Sequence, residues 1–340
     1  MTGLRVACVG AGYFSQFHYD SWRRLAADGR ISLVGACDHD IIKATATGHR
    51  AFDDLSDMLD ATRPDILDII LPPSAQAEAI QLALRAGIKI LICQKPFCRD
   101  LTEAHQVTDA AQAAGARLVV HENVRFQPWY RALKAALLKD AIGQVHQLTF
   151  RLRPGDGQGP RAYLDRQPYF RDMQRFLVHE TAVHWLDTFR YLLGDPKAVY
   201  ADLRRMNPAI SGEDAGCILL DFESGARALF DGNRHLDHAT DNPRRTLGEA
   251  LVEGTRGTIT LDGDGVLLLR AFGKTQAERL LAKDTSPNFG GDCVHALQSH
   301  VLHALETGAQ IENLAADYLR VLQIEDAVYR SAAEGRKIAL

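Results

Sequence analysis

The sequence lacks the features that would direct it to a membrane, to nucleic acid or into a disulfide framework. No apolar stretch approaches the roughly 20 residues that cross a bilayer. The opening MTGLRVACVG enters a strand-like run at once, without the charged and apolar regions of a secretory signal, so the expected location is the cytoplasm. A net charge of −4 leaves no basic footprint for nucleic acid or an anionic membrane surface, and the expected partner is a small molecule. The six cysteines, Cys8, Cys37, Cys93, Cys98, Cys217 and Cys293, contain no CxxC pair. Three lie inside apolar runs, which favours free buried thiols over disulfides or a zinc framework. Repeats and low-complexity segments are absent too.

What remains is an ordinary globular composition, 46% hydrophobic and 24% charged over 340 residues, long enough for two domains. Residues 1–125 alternate short apolar runs (RVACVG, SLVGACD, ILDIILPP, IKILICQKP, RLVVHEN) with amphipathic stretches such as SAQAEAIQLALRAG. Runs on this scale suit strands covered on both faces, connected by helices, and predict a doubly wound α/β domain of the Rossmann type. Residues 126–340 change texture. Alternating strands follow one another closely, punctuated by turns such as DGDG at 262–265, with a helical segment near 177–193 and two closing helices near 290–307 and 314–334. This predicts an α+β domain with an open, mostly antiparallel sheet and helices on one face. The open face predicts a homo-oligomer, a dimer or tetramer. The least regular stretch, 155–176, has the length of loops that often carry function.

Ligands of an open parallel sheet bind beyond the carboxyl ends of its strands, so those ends carry the candidate site. The first strand runs into Gly10-Ala11-Gly12-Tyr13-Phe14-Ser15. Two glycines permit a tight turn and a close approach to a pyrophosphate, although Ser15 stands where a third glycine is usual. The second strand ends at Asp38, 26 positions beyond Gly12 and close to the roughly 20 expected of the acidic residue that holds a ribose. A carboxylate there repels a 2′-phosphate and favours NAD over NADP; a helix N-cap is the competing reading. Pro72 and Pro73 close the third strand, as a wall for a flat ring or as a simple terminator. The fourth strand delivers Gln94 and Lys95 before Pro96, which biases the lysine toward an extended tip. The fifth delivers His121, Glu122 and Asn123, with Arg125 close behind.

In the second domain, Val178, Ala182, Trp185, Phe189 and Leu192 mark a buried helical stripe, and Glu180, His184, Asp187 and Tyr191 step the same way on another face. Glu180 and His184 thus sit about one turn apart, close enough for the carboxylate to orient a general acid/base imidazole. A solvent-facing polar stripe would look the same. The string HETAVH is not the zinc motif HExxH, because its histidines are five apart instead of four.

On these residues the chain resembles the glucose–fructose oxidoreductase, inositol dehydrogenase and rhizopine-catabolism (Gfo/Idh/MocA) family over nearly its whole length. VGAGYF resembles the family's nucleotide turn, and Gln94-Lys95-Pro96 its EKP motif. ENVRFQPWYRAL at 122–133 resembles the segment crossing between domains, and ETAVHWLDTFRYLLG at 180–194 the DxGxHxxD helix. The resemblance implies NAD as cofactor, Lys95 as the catalytic lysine, His184 as the acid/base and Glu180 in place of the usual aspartate. It also implies cofactor contacts from Gly10, Gly12, Tyr13, Phe14, Asp38, Pro72, Pro73, Gln76, Gln94, Lys95 and Asn123, with Gln94 replacing a glutamate and Gln76 standing where histidine is common. Substrate contacts are expected from Arg125 and, in the irregular loop, Arg153, Arg161, Tyr163, Gln167 and Tyr169. The implied reaction is hydride transfer from a carbinol carbon of a sugar or polyol to NAD⁺. The HETAVHWLD pattern and the Gln-Lys-Pro variant resemble aldose dehydrogenases acting on pentoses, including the branched sugar apiose. An NAD-dependent glycosidase that recycles its hydride, or a non-catalytic NAD-binding sensor, are the competing expectations.

Overall fold

A computed structural model describes residues 3–165 and 167–340. The chain divides into two compact units, Met1–Asn123 with Val294–Leu322, and Val124–Cys293 with Gln323–Leu340.

The first unit alternates strand and helix: β1 (Leu4–Val9), α1 (Ser15–Ala27), β2 (Ile31–Cys37), α2 (Ile41–Ala46), β3 (Ala51–Phe52), α3 (Leu55–Thr62), β4 (Ile66–Ile69), α4 (Pro73–Arg85), β5 (Ile90–Gln94), α5 (Leu101–Ala113) and β6 (Arg117–His121). Local chemistry sets the boundaries. The side chains of Asp40, Asp54 and Asp100 accept from backbone N–H groups in the first turns of α2, α3 and α5, and Pro73 opens α4, where its missing N–H costs nothing. The strands form one parallel sheet in the order β3-β2-β1-β4-β5-β6. The order reverses direction between β1 and β4, where an open α/β sheet forms its ligand crevice. Five of these strands were legible as apolar runs; β3, with two residues, is too short to leave a pattern.

The second unit contains α6 (Pro128–Leu138), β7 (Val145–Leu152), a π-helix (Leu177–Ala182) running into α7 (Val183–Leu193), and β8 (Pro196–Arg204). After these come β9 (Ala215–Phe222), β10 (Arg227–Asn233), β11 (Gly248–Gly254), β12 (Gly257–Leu261), β13 (Leu267–Ala271) and β14 (Glu278–Leu281). The chain goes on through α8 (Cys293–Thr307) and α9 (Ala315–Glu334), shared between the units, and closes with β15 (Ile338–Ala339) in the second. Among the described residues nine strands form a mixed sheet, β14-β13-β12-β11-β7-β10-β9-β8-β15, in which only β7 and β10 pair parallel. DGDG makes the β12–β13 connection, Asp262 accepting from the Asp264 and Val266 N–H groups at 2.9 Å. On β7, β9 and β10 alternate residues are buried, as a one-sided sheet requires. The Trp185 ring of α7 covers that face, stacked on Phe150 of β7 at 4.2 Å and 5.7 Å from Phe230 of β10.

One correction concerns the domain division. The sequence reading assigned all of 126–340 to the second domain, but residues 294–322, most of α8 and the start of α9, belong to the first unit. Their side chains explain why: Gln298 donates to Asp68 of β4, His295 meets Ser21 of α1, and Asn313 donates to the Glu122 carbonyl. Helical periodicity marks a helix but not the core it covers.

Candidate active site

The exit from β1 is shaped by two glycines with different tasks. Gly10 has φ +105°, and a Cβ there would stand 2.2 Å from the Ile70 carbonyl oxygen, so only glycine lets the chain leave β1 beside the end of β4. Around Gly12 a Cβ would meet nothing within 4 Å. The turn is therefore open outward at the start of α1, a helix with no side-chain cap, and the positive end of a helix suits a phosphate anion. Tyr13 is exposed and Phe14 half-buried beside this opening; Ser15 turns its hydroxyl back to the Gly12 carbonyl at 2.7 Å.

Asp38 lies at the end of β2, next to that turn. Its Oδ2 accepts from the Ala11 N–H at 2.8 Å and its Oδ1 from the Asp40 N–H at 3.0 Å. The cap of α2 is Asp40, not Asp38, which removes the competing reading. Each carboxylate oxygen still has acceptor capacity for a sugar hydroxyl. An open glycine turn with a carboxylate beside it fits the pyrophosphate and ribose of a dinucleotide.

The tips of β4 and β5 are bound together. Pro72 caps α4 and Pro73 begins it. Gln76, fully buried, offers two amide hydrogens to the Leu71, Gln94 and Pro96 carbonyls at 3.0, 2.8 and 3.0 Å, while its oxygen accepts from the Cys98 N–H at 2.8 Å. The Gln94 oxygen accepts the Lys95 N–H at 2.8 Å and its nitrogen meets His18 Nε2 at 2.9 Å. Both amides were expected as cofactor contacts. The structure gives them another task, holding the tip that carries Lys95, because every buried amide atom must find a partner. Lys95 itself is half-buried, and its bond to Pro96 is cis. At the end of β6, Asn123 is buried with its Nδ2 unpartnered.

In the second unit, Glu180 lies on the π-helix and His184 in the first turn of α7. The polar stripe does not face water: His184 is 8% and Asp187 1% exposed. Asp187 takes both arms of the Arg125 fork at 2.7 and 2.5 Å, and Tyr191 accepts from Arg131 at 3.0 Å. Spacing alone assumed an α-helix throughout; in a π-turn residues five apart do share a side. His179 nonetheless turns to Glu325 at 2.7 Å, and among the described residues no group of three or more His, Cys, Asp or Glu is placed to hold a metal ion.

A residue that the sequence reading missed organises this region. Arg234 is buried beneath the rings of Tyr163, Phe170 and Phe176, with its guanidinium carbon 4.8 to 5.5 Å from their centroids. It pairs with Asp156 at 2.7 Å and donates to Thr181 Oγ1 at 2.8 Å; that hydroxyl in turn donates to Glu180 Oε2 at 2.7 Å. Burial by itself would lower the Arg234 pKa, but Asp156, Tyr163 and Glu180 together outweigh it and hold the guanidinium above its usual range. The irregular loop and Glu180 are thus fastened to one buried charge. The only signal in the sequence was an arginine directly after an alternating strand.

The loop residues separate by environment. Tyr163 belongs to an apolar cluster with Phe170, Phe176 and Ile210, and burial pushes its phenol up, out of acid/base use. Arg153 is buried and bound to Asp231 at 2.5 Å, a link between β7 and β10, and Arg125 is occupied by Asp187. These three are structural in the geometry seen. Arg161 (paired with Asp165), Gln167 and Tyr169 (in mutual contact at 3.1 Å) lie toward solvent.

Comparison with known proteins agrees with this architecture. Residues 4–122 match the oxidoreductase family with an NAD-binding Rossmann fold, and residues 130–260 match the GFO/IDH/MocA C-terminal domain. The D-apiose dehydrogenase of Paraburkholderia graminis is 33% identical, over 98% of this chain and 89% of that protein. The D-apiose dehydrogenase of Rhizobium rhizogenes is 30% identical, over 99% and 98%. The crystal structure of an oxidoreductase from Agrobacterium radiobacter, in complex with NAD⁺, L-tartaric acid and magnesium, superimposes with a TM-score of 0.89 at 27% identity, covering 99% of this chain and 98% of that one. Matched in both of its halves and along its length, the chain belongs to the Gfo/Idh/MocA family of NAD-dependent oxidoreductases.

Proposed function

We propose that this dehydrogenase oxidises the anomeric carbinol of an aldose of pentose size, with a branched pentose such as D-apiose as the leading substrate, to the lactone. The observation that carries the substrate class is the near full-length likeness to two D-apiose dehydrogenases, at 33% and 30% identity. NAD⁺, when bound, supplies the hydride acceptor. His184 removes the hydroxyl proton as the C–H bond breaks, and Lys95 donates a hydrogen bond to the oxygen as it becomes a carbonyl. Glu180, held by Thr181 and through it by Arg234, stands about one turn before His184 and assists it. Gly10, Gly12 and Asp38 hold the dinucleotide, with Tyr13, Phe14, Pro72, Pro73 and Asn123 around it. Arg161, Gln167 and Tyr169 are the loop groups left to meet sugar hydroxyls.

We further propose a homo-oligomer formed through the uncovered face of the nine-stranded sheet, acting in the cytoplasm, where NAD and unpaired thiols coexist. All six cysteines are free, five of them buried. A screen of aldoses and polyols for NADH absorbance tests the reaction. Net NADH from a pentose is the expected result. Sugar release without net NADH would make the protein a glycosidase, and binding of NAD without either would make it a sensor.

A further inference from the structure

A buried polar chain runs through the first unit to the backbone of Lys95, and the chemistry above does not use it. Asp68 interrupts the apolar run of β4 and is fully buried. Its Oδ2 accepts from Trp22 Nε1 at 2.7 Å and from Gln298 Nε2 at 3.2 Å, and it meets His18 Nδ1 at 2.8 Å. His18, also fully buried, meets Gln94 Nε2 with its other ring nitrogen at 2.9 Å. The Gln94 amide has no rotational ambiguity, because the Lys95 N–H can only donate and therefore faces the amide oxygen. Gln94 then donates to His18 Nε2, which leaves Nδ1 carrying the proton that Asp68 accepts. The chain is fully ordered in one sense: Asp68 fixes the His18 tautomer, His18 fixes the Gln94 amide, and Gln94 fixes the Lys95 backbone. Gln76 holds the carbonyls on either side of it.

We infer that Gln94 is a positioning residue for Lys95, keyed to the buried His18–Asp68 pair, and that an amide at position 94 matches a singly protonated imidazole. The inference rests on the proposed role of Lys95. Loss of the amide frees one peptide of the β5 tip and lets the ammonium wander, and a misplacement of about 1 Å costs on the order of 100-fold in turnover.

The test is a double-mutant cycle on kcat, with the NAD dissociation constant measured alongside by calorimetry. Gln94→Leu should lower kcat about 10- to 100-fold while NAD affinity stays within about 3-fold. In a Lys95→Met background the same change should alter the residual rate less than about 2-fold, because the group it positions is gone. An equal loss in both backgrounds means a merely structural role and overturns the inference. So does Gln94→Leu at the wild-type rate. A Lys95→Met variant as active as the wild type would instead remove the role of Lys95 itself, a separate and recognisable failure.

Gln94→Glu serves if the leucine variant does not fold, since it keeps an acceptor for the Lys95 N–H. It places a second carboxylate against His18 Nε2, so that contact is kept only with one more proton than the amide pair holds, whichever of the two groups carries it. The other titratable groups facing His18 are Asp68 from β4 and His121 from β6, its ring 4.1 Å away. The thiols of Cys8 and Cys93 interact with Asp68, and burial raises both. Relative to wild type, Gln94→Glu should hold its activity in acid and lose it as pH rises. A constant ratio across pH would overturn the link to His18.

Discussion

The two glycines of the turn that leaves β1 permit a prediction in which stability and cofactor affinity separate. At Gly10 an alanine must hold φ near +105°, a conformation costing about 1–3 kcal/mol, with its Cβ driven to 2.2 Å from the Ile70 oxygen. Relieving that overlap costs about 1–3 kcal/mol more. Gly10→Ala should therefore lose about 2–6 kcal/mol of stability and unfold at clearly lower temperature even without NAD. Gly12 has no positive φ and open space around it. Gly12→Ala should leave the apoprotein unchanged or stabilise it by about 0.4–1 kcal/mol, through the smaller entropy of its unfolded chain. With the dinucleotide seated at this turn as proposed, the new methyl group stands in its path, and overpacking of about 1–3 kcal/mol should weaken NAD binding roughly 5- to 150-fold. Thermal unfolding of the apoproteins and calorimetric titration with NAD read the two quantities independently. A Gly12→Ala protein that binds NAD as tightly as the wild type would refute the placement of the cofactor at this turn.

Other consequences are equally direct. Asp187→Ala strands Arg125 and should cost about 3–5 kcal/mol, as should Arg125→Ala, with the double variant losing less than the sum of the two; denaturant unfolding checks it. Replacing Arg234 with methionine removes the partner of Asp156 and of the Thr181–Glu180 pair. It should open the 155–176 loop to protease and lower kcat together, whereas an unchanged cleavage pattern would deny the arginine its organising role. Burial pushes the thiols of Cys37 and Cys98 up to about 12. Between the usual thiol range and that value the native state keeps protons that the unfolded state releases. Stability from these groups is thus fully present below about pH 8.5 and lost as pH rises toward 12, a trend that urea midpoints measured from neutral to alkaline pH should follow.

The parts of this protein legible in its sequence are those with a local cause. Apolar runs gave the parallel strands, Gly10 and Gly12 marked the turn that leaves β1 and Asp38 the carboxylate beside it, and Lys95 and His184 stood out as candidates by their positions after a strand and on an amphipathic helix. The stripe from Val178 to Leu192 is buried at every position named. What stayed hidden depends on contacts between distant segments. No periodicity shows that Gln76 would bind three carbonyls, that Arg125 and Arg153 would be taken by Asp187 and Asp231, or that α8 would serve the first unit. Asp68 and Arg234 left one faint mark each, a charge within an apolar run and a charge directly after an alternating strand, and each became the hub of a buried network. The π-helix at 177–182 was invisible because its composition is that of an α-helix.

The central claim is that Lys95 and His184 act on one carbinol whose hydrogen leaves for NAD⁺. The most direct measurement uses a pentose deuterated at its anomeric carbon and follows the label in the nicotinamide product, in the wild type and in Lys95→Met and His184→Ala. The account predicts deuterated NADH from the wild type, turnover lower by orders of magnitude in each variant, and NAD affinity nearly unchanged in both. Label transfer at the wild-type rate by a protein carrying both substitutions would contradict it.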